Sequence, residues 1–444
     1  MKFLVIGAGL SGLAAAARFQ QAGHEVVILE AADRPGGRCA TLHRDGFIID
    51  TGPDVASASY RRWQALARSV GLGGDIIPST MVMSTLRGGR MIDIDANKFA
   101  SLLKTPLLSW SAKLRFAHGL FRLRHQIRAL DGDNLLGACA LDDPAITAED
   151  FAVDAFGREA AEYLIDPMTR TLGGSKMSTV SSLVVRYGLS GWSQPLITLR
   201  GGLDRVPVAV AAKLNIRYRT CVDRIHSDAN KSATNNVWVD YTADDRSTAS
   251  LTADKCLITT QYDDAVRIYP RLDELGGDFG RRLIFARLLD IKLAYGKATH
   301  SKACVAQVPT IENREILMFL LAHNKAPDRA PAGHSLFTVY SEHAEYDRLA
   351  ALSFEQVIAW ARGHIETLYP EIKGHFLFGH VARQPRTVCF SDPGFYRRTA
   401  RLWEAVGDEP HVHLGGDMMN GGSMEAAVVG GERAADRLMR TNLT

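Results

Sequence analysis

Residues 2–30 read KFLVIGAGLSGLAAAARFQQAGHEVVILE, in which two apolar runs flank a glycine-rich turn and an alanine-rich stretch. The run from Lys2 to Ile6 predicts a buried strand, and Leu13 to Gln21 predicts a helix. Glu25 to Leu29 predicts a second strand, which the acid Glu30 closes. This order of strand, turn, helix, strand and acid is the one that binds the ADP half of a dinucleotide.

The three glycines of the turn have different tasks in such a site. Gly7 permits the tight turn, Gly9 lets a pyrophosphate approach the backbone, and Gly12 lets the helix pack closely on the strand. The phosphates would lie at the helix N-terminus, where free N–H groups and the helix dipole favour anions. Glu30 would accept hydrogen bonds from the ribose hydroxyls and would disfavour a 2′-phosphate.

Four further glycine-containing segments indicate which dinucleotide is bound. Residues 31–38 read AADRPGGR, and residues 46–53 read GFIIDTGP. A nicotinamide enzyme needs no such loops, whereas a flavin lies across the sheet and requires loops that pass close to it. Near the C-terminus, residues 413–417 read HLGGD and residues 421–434 read GGSMEAAVVGGERA, which predicts another strand, glycine turn and helix N-terminus. The sequence therefore favours a flavin over a nicotinamide.

These motifs resemble those of the FAD-dependent amine oxidase and protoporphyrinogen oxidase superfamily, which also includes phytoene-type desaturases. The resemblance spans essentially the whole chain and implies an α/β fold. In that fold, a Rossmann-type FAD-binding domain interleaves with a substrate domain of mixed sheet plus helices. The FAD-binding domain would comprise residues 1–80, 200–285 and 405–444, and the substrate-binding domain residues 81–199 and 286–404.

The resemblance also implies which residues hold FAD. No cysteine falls where covalent members of the superfamily attach the cofactor, so non-covalent binding is expected. Val222 stands where the superfamily uses backbone groups to hold the adenine. The expected cofactor-binding residues are Gly7, Gly9, Leu10, Ser11, Gly12, Glu30, Ala31, Gly36, Gly37, Arg38, Gly52, Pro53, Val222, Thr259, Gly416, Asp417, Ser423 and Met424.

Two residues are candidates for catalysis by the same resemblance. Lys292 resembles the lysine that amine oxidases direct through a water at flavin N5, and burial would depress its pKa. The alternative for Lys292 is a solvated lysine on a strand. Cys389 begins the stretch CFSDP, which resembles W-x-x-D-P, and it would face the flavin where a tryptophan is usual. Ser423 replaces a cage tyrosine of many amine oxidases, which argues against primary amines as substrates.

The sequence does not determine which residues form the substrate cleft. His411 and His413 form an H-x-H pair without a carboxylate partner, so no metal site is expected. Five residues could line a substrate cleft or belong equally to the core or the surface: Arg186, Tyr187, Trp192, Gln194 and Tyr340.

The sequence leaves three functions open. The first is an FAD-dependent oxidoreductase that takes a hydride from a small or medium organic substrate, forming C=C or C=N, with oxygen or another acceptor reoxidising the flavin. Amine oxidation proper is an alternative within this class. The segments Gly71-Leu-Gly-Gly and Gly201-Gly-Leu lack the strand-then-helix context of a second dinucleotide site, so the substrate would supply the electrons. The second function is a redox-neutral flavin-dependent double-bond isomerase, and the third a non-catalytic flavin-binding protein.

The composition of the 444 residues is that of an ordinary globular protein of two interleaved domains, with 46% hydrophobic and 23% charged residues. Its six cysteines contain no C-x-x-C pair and fit a reducing compartment. Met1 leads directly into the first strand without a signal peptide, so a cytoplasmic location is expected. No nucleic-acid partner is expected, and the oligomeric state is open.

One segment departs from that composition. Residues 96–130 contain seven lysines and arginines and no acid, and without these bases the net charge of +3 would become −4. Leucines and aromatic residues alternate with the charges, so the segment could meet anionic lipid and admit an apolar substrate. The corresponding region of protoporphyrinogen oxidases is their membrane-contacting part. The alternative is a pair of helices with solvated basic faces.

The remaining patterns predict secondary structure between these motifs. Helices are predicted at residues 62–70, 148–165 with an interruption at Gly157, 207–214 and 354–368. Strands are predicted at residues 216–221, 237–241, 251–257, 286–295 and 335–340, and as a pair at 81–94 that turns at Gly88-Gly89.

Overall fold

The computed structural model describes residues 1–95, 98–192, 194–228 and 235–441. Its strands, in chain order, are β1 (Lys2–Ile6), β2 (Glu25–Leu29), β3 (Ala40–Arg44), β4 (Phe47–Thr51), β5 (Ala56–Ser57), β6 (Ile76–Pro78), β7 (Val82–Arg87), β8 (Arg90–Asp95), β9 (Leu196–Leu199), β10 (Ile216–Arg217), β11 (Cys221–Ser227), β12 (Val237–Thr242), β13 (Thr248–Ala253), β14 (Lys255–Ile258), β15 (Leu288–Tyr295), β16 (Val305–Gln307), β17 (Ile316–Leu321), β18 (Ser335–Ser341), β19 (Phe376–Gln384) and β20 (Val412–Leu414).

The α-helices are α1 (Leu10–Gln21), α2 (Arg61–Ser69), α3 (Phe99–Lys104), α4 (Trp110–Arg128), α5 (Ala148–Phe156), α6 (Arg158–Ala160), α7 (Asp166–Gly173), α8 (Ser182–Gly191), α9 (Arg205–Ala211), α10 (Tyr262–Ile268), α11 (Arg271–Gly276), α12 (Phe279–Arg282), α13 (Ala322–Lys325), α14 (Tyr346–Ala350), α15 (Phe354–Leu368), α16 (Phe395–Gly407) and α17 (Met424–Arg440). A π-helical turn, Ala161–Ile165, joins α6 to α7.

A five-stranded parallel sheet carries the glycine-rich turn. Its strand order is β10-β2-β1-β14-β20, and α1 connects β1 to β2. Side chains of β1 alternate between two cores: Phe3 and Val5 join the core of α1 and α17, and Leu4 and Ile6 join the other. Both faces of the sheet are therefore covered, as apolar parallel strands require.

The second large sheet has seven strands and is mixed. Its order is β19-β15-β18-β17-β16-β7-β8. Gly88 and Gly89 join β7 to β8 with φ of 58° and 73°, the left-handed pair that a two-residue hairpin turn requires. Helix α15 covers one face of this sheet and begins at a capping box between Ser353 and Gln356.

The helices α4, α5, α7 and α8 pack together beside the second sheet. Helix α5 begins at a capping box between Thr147 and Asp150 and ends at Gly157, whose φ is +82°. These helices share one buried cluster with Leu4 and Ile6 of β1. The helical part and the face of the parallel sheet opposite α1 thus belong to one continuous core, which also contains Val222, Ile225 and Val239 of the three-stranded sheet.

Most predicted elements are confirmed, with three informative differences. The strand predicted at 251–257 is two strands, because β13 pairs with β12 whereas β14 pairs with β1 and β20 in the parallel sheet. The predicted hairpin at 81–94 is β7 and β8, and the helix predicted at 354–368 is α15. The helix predicted at 207–214 begins and ends earlier, at Arg205–Ala211. The strand predicted at 216–221 is two strands, because β10 pairs with β2 whereas β11 pairs with β12 in a separate three-stranded sheet. The chain therefore changes sheets between them.

The two large sheets draw on different parts of the chain. Strands of the parallel sheet come from residues 1–80, 200–285 and 405–444, and strands of the mixed sheet from 81–199 and 286–404. A small sheet, β5-β9-β6, pairs strands from both groups. The two-domain division stays a prediction.

The prediction that Gly201 lacks a strand-then-helix context is wrong, because β9 precedes it and α9 follows it. The turn nevertheless packs against other segments of the protein and not against a ligand site. A Cβ on Gly202 would lie 2.6 Å from the Thr41 side chain, and the Leu203 N–H donates to Asp50 Oδ1 at 2.9 Å. The turn therefore supports β3 and β4 and does not present that donor to a phosphate.

Candidate active site

A single cavity of about 840 Å³ connects the carboxyl edge of the parallel sheet to the mixed sheet. One end is lined by the glycine turn after β1 and by Glu30 at the end of β2. The other end is lined by Asp290 of β15, Tyr340 of β18 and Arg170 of α7. Such a cleft at the carboxyl ends of parallel strands is where this fold class binds ligands.

The N-terminus of α1 has the free groups that a pyrophosphate would engage. A Cβ placed on Gly9 would meet no atom within 4 Å, so the cavity is open beside this backbone. The Ser11 Oγ is buried and has no hydrogen-bond partner among the described residues. The first N–H groups of a helix also lack intrahelical acceptors. An anion between these groups would satisfy them, so the residues present fit a dinucleotide.

Glu30 is held in place by two loops. Its Oε2 accepts the Ala8 N–H at 2.6 Å, and its Oε1 accepts the Ala32 N–H at 2.8 Å. The Gly36 N–H donates to the Ala8 carbonyl at 2.8 Å, which joins the second glycine loop to the first. The carboxylate is therefore fixed at the cavity edge with lone pairs left for ribose hydroxyls.

The C-terminal glycine segment closes the cavity from the other side. Arg38 NH2 lies 2.7 Å from Asp417 Oδ1 and joins the loop after β2 to the loop before α17. A Cβ on Gly430 would lie 2.2 Å from the Gly416 carbonyl oxygen, and one on Gly431 would lie 2.1 Å from the Ser11 carbonyl oxygen. Gly430 therefore lets α17 pack on the backbone of the loop at Gly416, and Gly431 lets it pack on the backbone of α1.

All the predicted cofactor-binding residues except Gly12 line this cavity. Gly12 lies behind the wall, where an added Cβ would be 1.9 Å from the Gly7 carbonyl oxygen and 2.7 Å from Thr259 Oγ1. It therefore serves the close packing of helix on strand, and its backbone does not line the cavity. Ser423 lines the cavity and also caps α17, since its Oγ accepts the Ala426 N–H at 3.0 Å.

A buried ionic cluster lies at the mixed-sheet end of the cavity. It contains three acids and three bases, all almost fully buried: Asp50, Asp54, Asp290, Lys292, Lys325 and Arg329. Lys292 Nζ lies 2.8 Å from Asp54 Oδ2 and 3.0 Å from Asp290 Oδ1. Lys325 Nζ lies 2.9 Å from Asp54 Oδ1 and 2.9 Å from Asp50 Oδ2. Each lysine is therefore compensated by two carboxylates.

The ion pairs shift the pKa values of the cluster in different directions. Burial alone would raise the pKa of Asp54, but the attraction of Lys292 and Lys325 outweighs burial and lowers it. Burial raises the pKa of Asp290 to about 6 against the attraction of Lys292. Burial also raises the pKa of Tyr340, whose hydroxyl donates to Asp54 Oδ2 at 2.9 Å. Asp290 is thus the acid of this group that ionises closest to neutral pH.

The expectations for Lys292 need two corrections. Its side chain is 1% exposed, so the alternative of a solvated lysine is wrong, whereas a role through a water at the flavin stays a prediction. Burial would lower the pKa of Lys292, but Asp290 and Asp54 outweigh burial and raise it. The sequence pattern correctly predicted that Lys292 lies on a strand. It did not predict the ion pairs of Lys292 with Asp54 and Asp290.

The expectation that Cys389 faces the flavin is also corrected. The chain at 387–390 pairs with the segment at 284–286, since Ala286 N–H donates to the Val388 carbonyl and Phe390 N–H to the Ile284 carbonyl. The residues from Gln384 to Val388 line the cavity. Cys389 is buried in the adjoining core and is not among the residues that line the cavity.

The cavity wall contains further candidate residues that the sequence did not indicate. Of the five residues considered for a substrate cleft, Tyr340 alone lines the cavity. Asp54, Asp290, Arg170 and Glu342 line it as well, and Arg170 Nε donates to Glu342 Oε2 at 3.1 Å. A signal for Asp290 existed: with Lys292 it interrupts the otherwise apolar strand LLDIKLAY at a spacing of two, which places both on one face.

The sequence profile described as "Flavin containing amine oxidoreductase" matches residues 10–439. The chain belongs to this family. The predicted superfamily and the α/β fold are thereby confirmed, and the family places the protein among the flavin-dependent oxidoreductases.

Two curated relatives match parts of the chain. Coproporphyrinogen III oxidase from Staphylococcus aureus (strain NCTC 8325 / PS 47) is 29% identical over 188 residues, which is 40% of this chain and 37% of the relative. The 4,4'-diapophytoene desaturase (4,4'-diaponeurosporene-forming) of Staphylococcus aureus (strain Newman) is 54% identical over 55 residues, which is 12% of this chain and 11% of the relative. The matched stretches thus span far less than two thirds of either relative.

Solved structures show the same fold across the whole chain. Cyclohexylamine oxidase from Brevibacterium oxydans IH-35A aligns with a TM-score of 0.75 at 20% identity and covers 98% of both chains. Reduced UDP-galactopyranose mutase aligns with a TM-score of 0.71 at 15% identity and covers 99% of this chain and 95% of its own. Identities this low establish the fold alone.

Proposed function

We propose that this protein is an FAD-dependent oxidoreductase that removes a hydride and a proton from an organic substrate, by C–C desaturation or C–N oxidation. The observation that supports this most directly is the continuous cavity, which runs from the dinucleotide turn to the ionic cluster of the mixed sheet. The turn after β1 and Glu30 would hold the ADP half of FAD, and the remaining length of the cavity would be available to the flavin and the substrate. Oxygen or another acceptor would reoxidise the flavin.

The cavity wall supports FAD bound without a covalent link. The α1 N-terminus and Ser11 would hold the pyrophosphate, Glu30 the ribose, and the backbone at Val222 the adenine. Among the described residues that line the cavity, the cysteines are Cys39 and Cys221. Burial raises the pKa of the Cys39 thiol and keeps it in the unreactive protonated form, and Cys221 lies beside Val222 at the predicted adenine end.

The substrate end of the cavity combines apolar walls with a few fixed polar groups. Leu172, Leu317, Met318 and Leu320 line it together with the Arg170–Glu342 pair. Apolar walls with few convergent polar groups are typical of sites for small or medium organic molecules. We propose an apolar substrate of that size, with the polar groups fixing its orientation.

In this mechanism the chain's own residues bind FAD, orient the substrate and exclude water. Bound FAD would supply the hydride-accepting chemistry. The tie between Arg38 and Asp417 fixes the two loops that would flank the ring. The Tyr340 hydroxyl donates its one proton to Asp54 Oδ2 at 2.9 Å and lies 3.1 Å from the Gly52 carbonyl oxygen, so it packs the Gly52-Pro53 loop against the mixed sheet. The site is therefore preorganised before a substrate enters.

The proposed function predicts a yellow protein with one FAD per chain, which denaturation releases into solution. Anaerobic mixing with a panel of amines, porphyrinogens and polyenes should bleach the flavin with one of these classes. Gly9→Val is the matched variant: its extended backbone, with φ of −69°, accepts any residue, and its side chain would fill the open phosphate space. We expect this variant to fold, with the melting temperature of the wild-type apoprotein, and to bind no FAD.

The outcomes distinguish the alternatives. Colourless protein that cannot be reconstituted with FAD would overturn the proposal, and flavin that stays with the precipitated chain would contradict non-covalent binding. A product of unchanged mass, without hydrogen peroxide or acceptor reduction, would indicate a redox-neutral isomerase. Bleaching by amines alone would assign an amine oxidase proper.

We further propose that α4 rests on an anionic membrane surface. Trp110, Leu114 and Phe121 of α4 are 66%, 71% and 63% exposed. At 3.6 residues per turn they lie on one stripe. Lys113 Nζ lies 4.5 Å from the Trp110 ring centroid, and Arg124 lies 3.9 Å from that of Phe121, so bases flank the apolar stripe. This arrangement is complementary to anionic headgroups over acyl chains.

The basic segment at 96–130 is only partly exposed in the structure. Residues 96 and 97 and the side chains of Phe99 and Leu102 lie outside the described residues. Leu107 and Leu108 are buried, and Phe116, Leu120 and Leu123 pack against the core. In the described parts of the chain, no helix is both long and apolar enough to cross a bilayer. The contact proposed is therefore peripheral.

Replacing Trp110, Leu114 and Phe121 together by serine should lower binding to vesicles with anionic lipid by at least about tenfold, because three apolar side chains lose their contact with the interface. Co-sedimentation with anionic and with zwitterionic vesicles measures the effect. The control is serine at Val208, Ile311 and Leu377, which are 50%, 58% and 51% exposed elsewhere. Equal binding of both triple variants, or no preference for anionic vesicles, would contradict the proposal.

A further inference from the structure

Glu342 presents one oxygen of its carboxylate at the substrate end of the cavity. Its other oxygen, Oε2, accepts Arg170 Nε at 3.1 Å and also contacts Arg170 NH2. Oε1 accepts no hydrogen bond among the described residues, and unlike Ser11 Oγ it is not enclosed. The Glu342 side chain lines the cavity and is 13% exposed. Oε1 is therefore a charged acceptor that a ligand in the cavity can reach.

Arg170 fixes the position of this carboxylate. Its guanidinium is 1% exposed and also donates to the Ile316 carbonyl at 3.0 Å and to the Val308 carbonyl. The Glu342 N–H donates to the Glu315 carbonyl at 2.8 Å, which holds the backbone as well. Hydrogen bonds between ionised groups are the strong ones in proteins, so the pair is rigid. The free oxygen is therefore preorganised for a donor on the ligand.

The surroundings of Glu342 are apolar or already hydrogen-bonded. The Thr171 hydroxyl donates to the Pro167 carbonyl at 2.9 Å, and the Tyr340 hydroxyl donates to the ionic cluster. The apolar side chains that line this end of the cavity are Leu172, Leu317, Met318 and Leu320. A ligand that covers Oε1 between such walls removes it from water, and an ionised oxygen without a donor is then costly.

The charges at this end of the cavity are balanced. Glu342 is paired with Arg170, Arg287 lies 2.7 Å from Asp347, and the ionic cluster contains three acids and three bases. Burial lowers the pKa of His343, which also lines the cavity, so this residue adds no charge at neutral pH. A fully charged ligand would therefore find no free counterion, and a neutral ligand fits better.

We infer that the substrate is a neutral compound with an N–H or O–H group that donates a hydrogen bond to Glu342 Oε1, an inference that rests on the proposed function. Glu342 determines this specificity, and Arg170 is a positioning residue that acts through it. A hydrocarbon such as a polyene cannot satisfy the oxygen and leaves it desolvated. A site built to accept a hydrogen bond discriminates strongly against ligands that lack the donor.

The test uses carbazole, fluorene and fluorenone, which share one tricyclic shape and carry an N–H donor, a methylene and a carbonyl acceptor at the same position. Titration of the FAD-loaded protein, followed by the change in flavin absorbance, gives a dissociation constant for each compound. We expect carbazole to bind at least about tenfold more tightly than fluorene, because it donates to a charged group. Fluorenone should bind most weakly, since its oxygen meets another acceptor.

Glu342→Gln should reverse this order. Arg170 offers only donors, so the amide oxygen must face the guanidinium and the amide NH2 then faces the cavity. Relative to fluorene, carbazole should lose at least about tenfold in affinity and fluorenone should gain. Glu366→Gln is the matched control, because Glu366 is also 13% exposed and lies 2.8 Å from Arg362 but does not line the cavity. It should keep the wild-type order.

A second variant covers the case in which Glu342→Gln does not fold. Glu342→Asp keeps the negative charge opposite Arg170 and shortens the side chain by one methylene, which withdraws the acceptor from either the guanidinium or the cavity. The preference for carbazole over fluorene should fall by at least about threefold. An unchanged preference in this variant would count against the inference.

Yellow protein that binds carbazole no more tightly than fluorene, or that binds none of the three compounds, would overturn the inference and leave the proposed function intact. The wild-type order in Glu342→Gln would overturn it as well, because the donor would then contact another residue. Failure of the proposed function looks different: the protein would be colourless and could not be reconstituted with FAD.

Discussion

Replacing Lys292 by methionine is expected to lower the free energy of unfolding by about 3–5 kcal/mol, because it leaves two buried carboxylates short of their cation. Lys292 contacts Asp54 and Asp290 at 2.8 and 3.0 Å, and all three side chains are at most 3% exposed. Methionine fills the volume of the lysine stem but supplies no charge. Urea unfolding at pH 7, followed by circular dichroism, measures the loss.

Two variants separate this effect from a general cost of mutation. Arg18→Met breaks a surface pair with Asp436, whose side chains are 46% and 29% exposed, and should cost less than about 1 kcal/mol. Adding Asp290→Asn to Lys292→Met restores the charge balance and should recover part of the stability. If Lys292→Met slowed flavin reduction or reoxidation without loss of stability, the lysine would act at the cavity and not within the ionic cluster.

The parts of this fold that could be predicted are those set by local physics. A strand, a turn that needs Gly7 at φ +99°, a helix and a closing acid lie within one short stretch, so spacing alone indicates both the structure and its ligand. The hairpin at Gly88-Gly89 follows from the same kind of rule. In both cases the residue type is required by a backbone geometry, and few other structures satisfy the pattern.

The parts that could not be predicted depend on contacts between distant segments. Asp54 and Lys325 are far apart in the sequence, and their ion pair exists only because the loop after β4 and α13 meet behind the cavity. The burial of Cys389 likewise depends on distant segments, because the chain there pairs with Phe285, and a motif comparison does not reveal this. The direction of the Lys292 pKa shift was likewise wrong, because the sequence predicts burial but does not show which charges share it.

Gly431→Ala is expected to separate the two helices that hold the cofactor and to abolish stable flavin binding. The added Cβ would lie 2.1 Å from the Ser11 carbonyl oxygen, which is backbone and cannot rotate away. Relief to an ordinary contact of 3.4 Å requires α17 to move from α1 by more than an ångström. We expect a loss of about 3 kcal/mol or more from overpacking, and at least about a hundredfold loss of activity from misplaced cofactor loops.

The control is Gly363→Ala in α15, where an added Cβ would meet no atom within 4 Å. Both substitutions place alanine inside a long helix, so the favourable gain of about 0.5–1 kcal/mol from helix propensity is common to the pair. Gly363→Ala should therefore raise the melting temperature slightly and retain FAD, whereas Gly431→Ala should lower it and yield colourless protein. Equal stability and equal FAD content in the two variants would mean that α1 and α17 can move apart without disturbing the site. In that case the close contact between their backbones is not what positions the flavin.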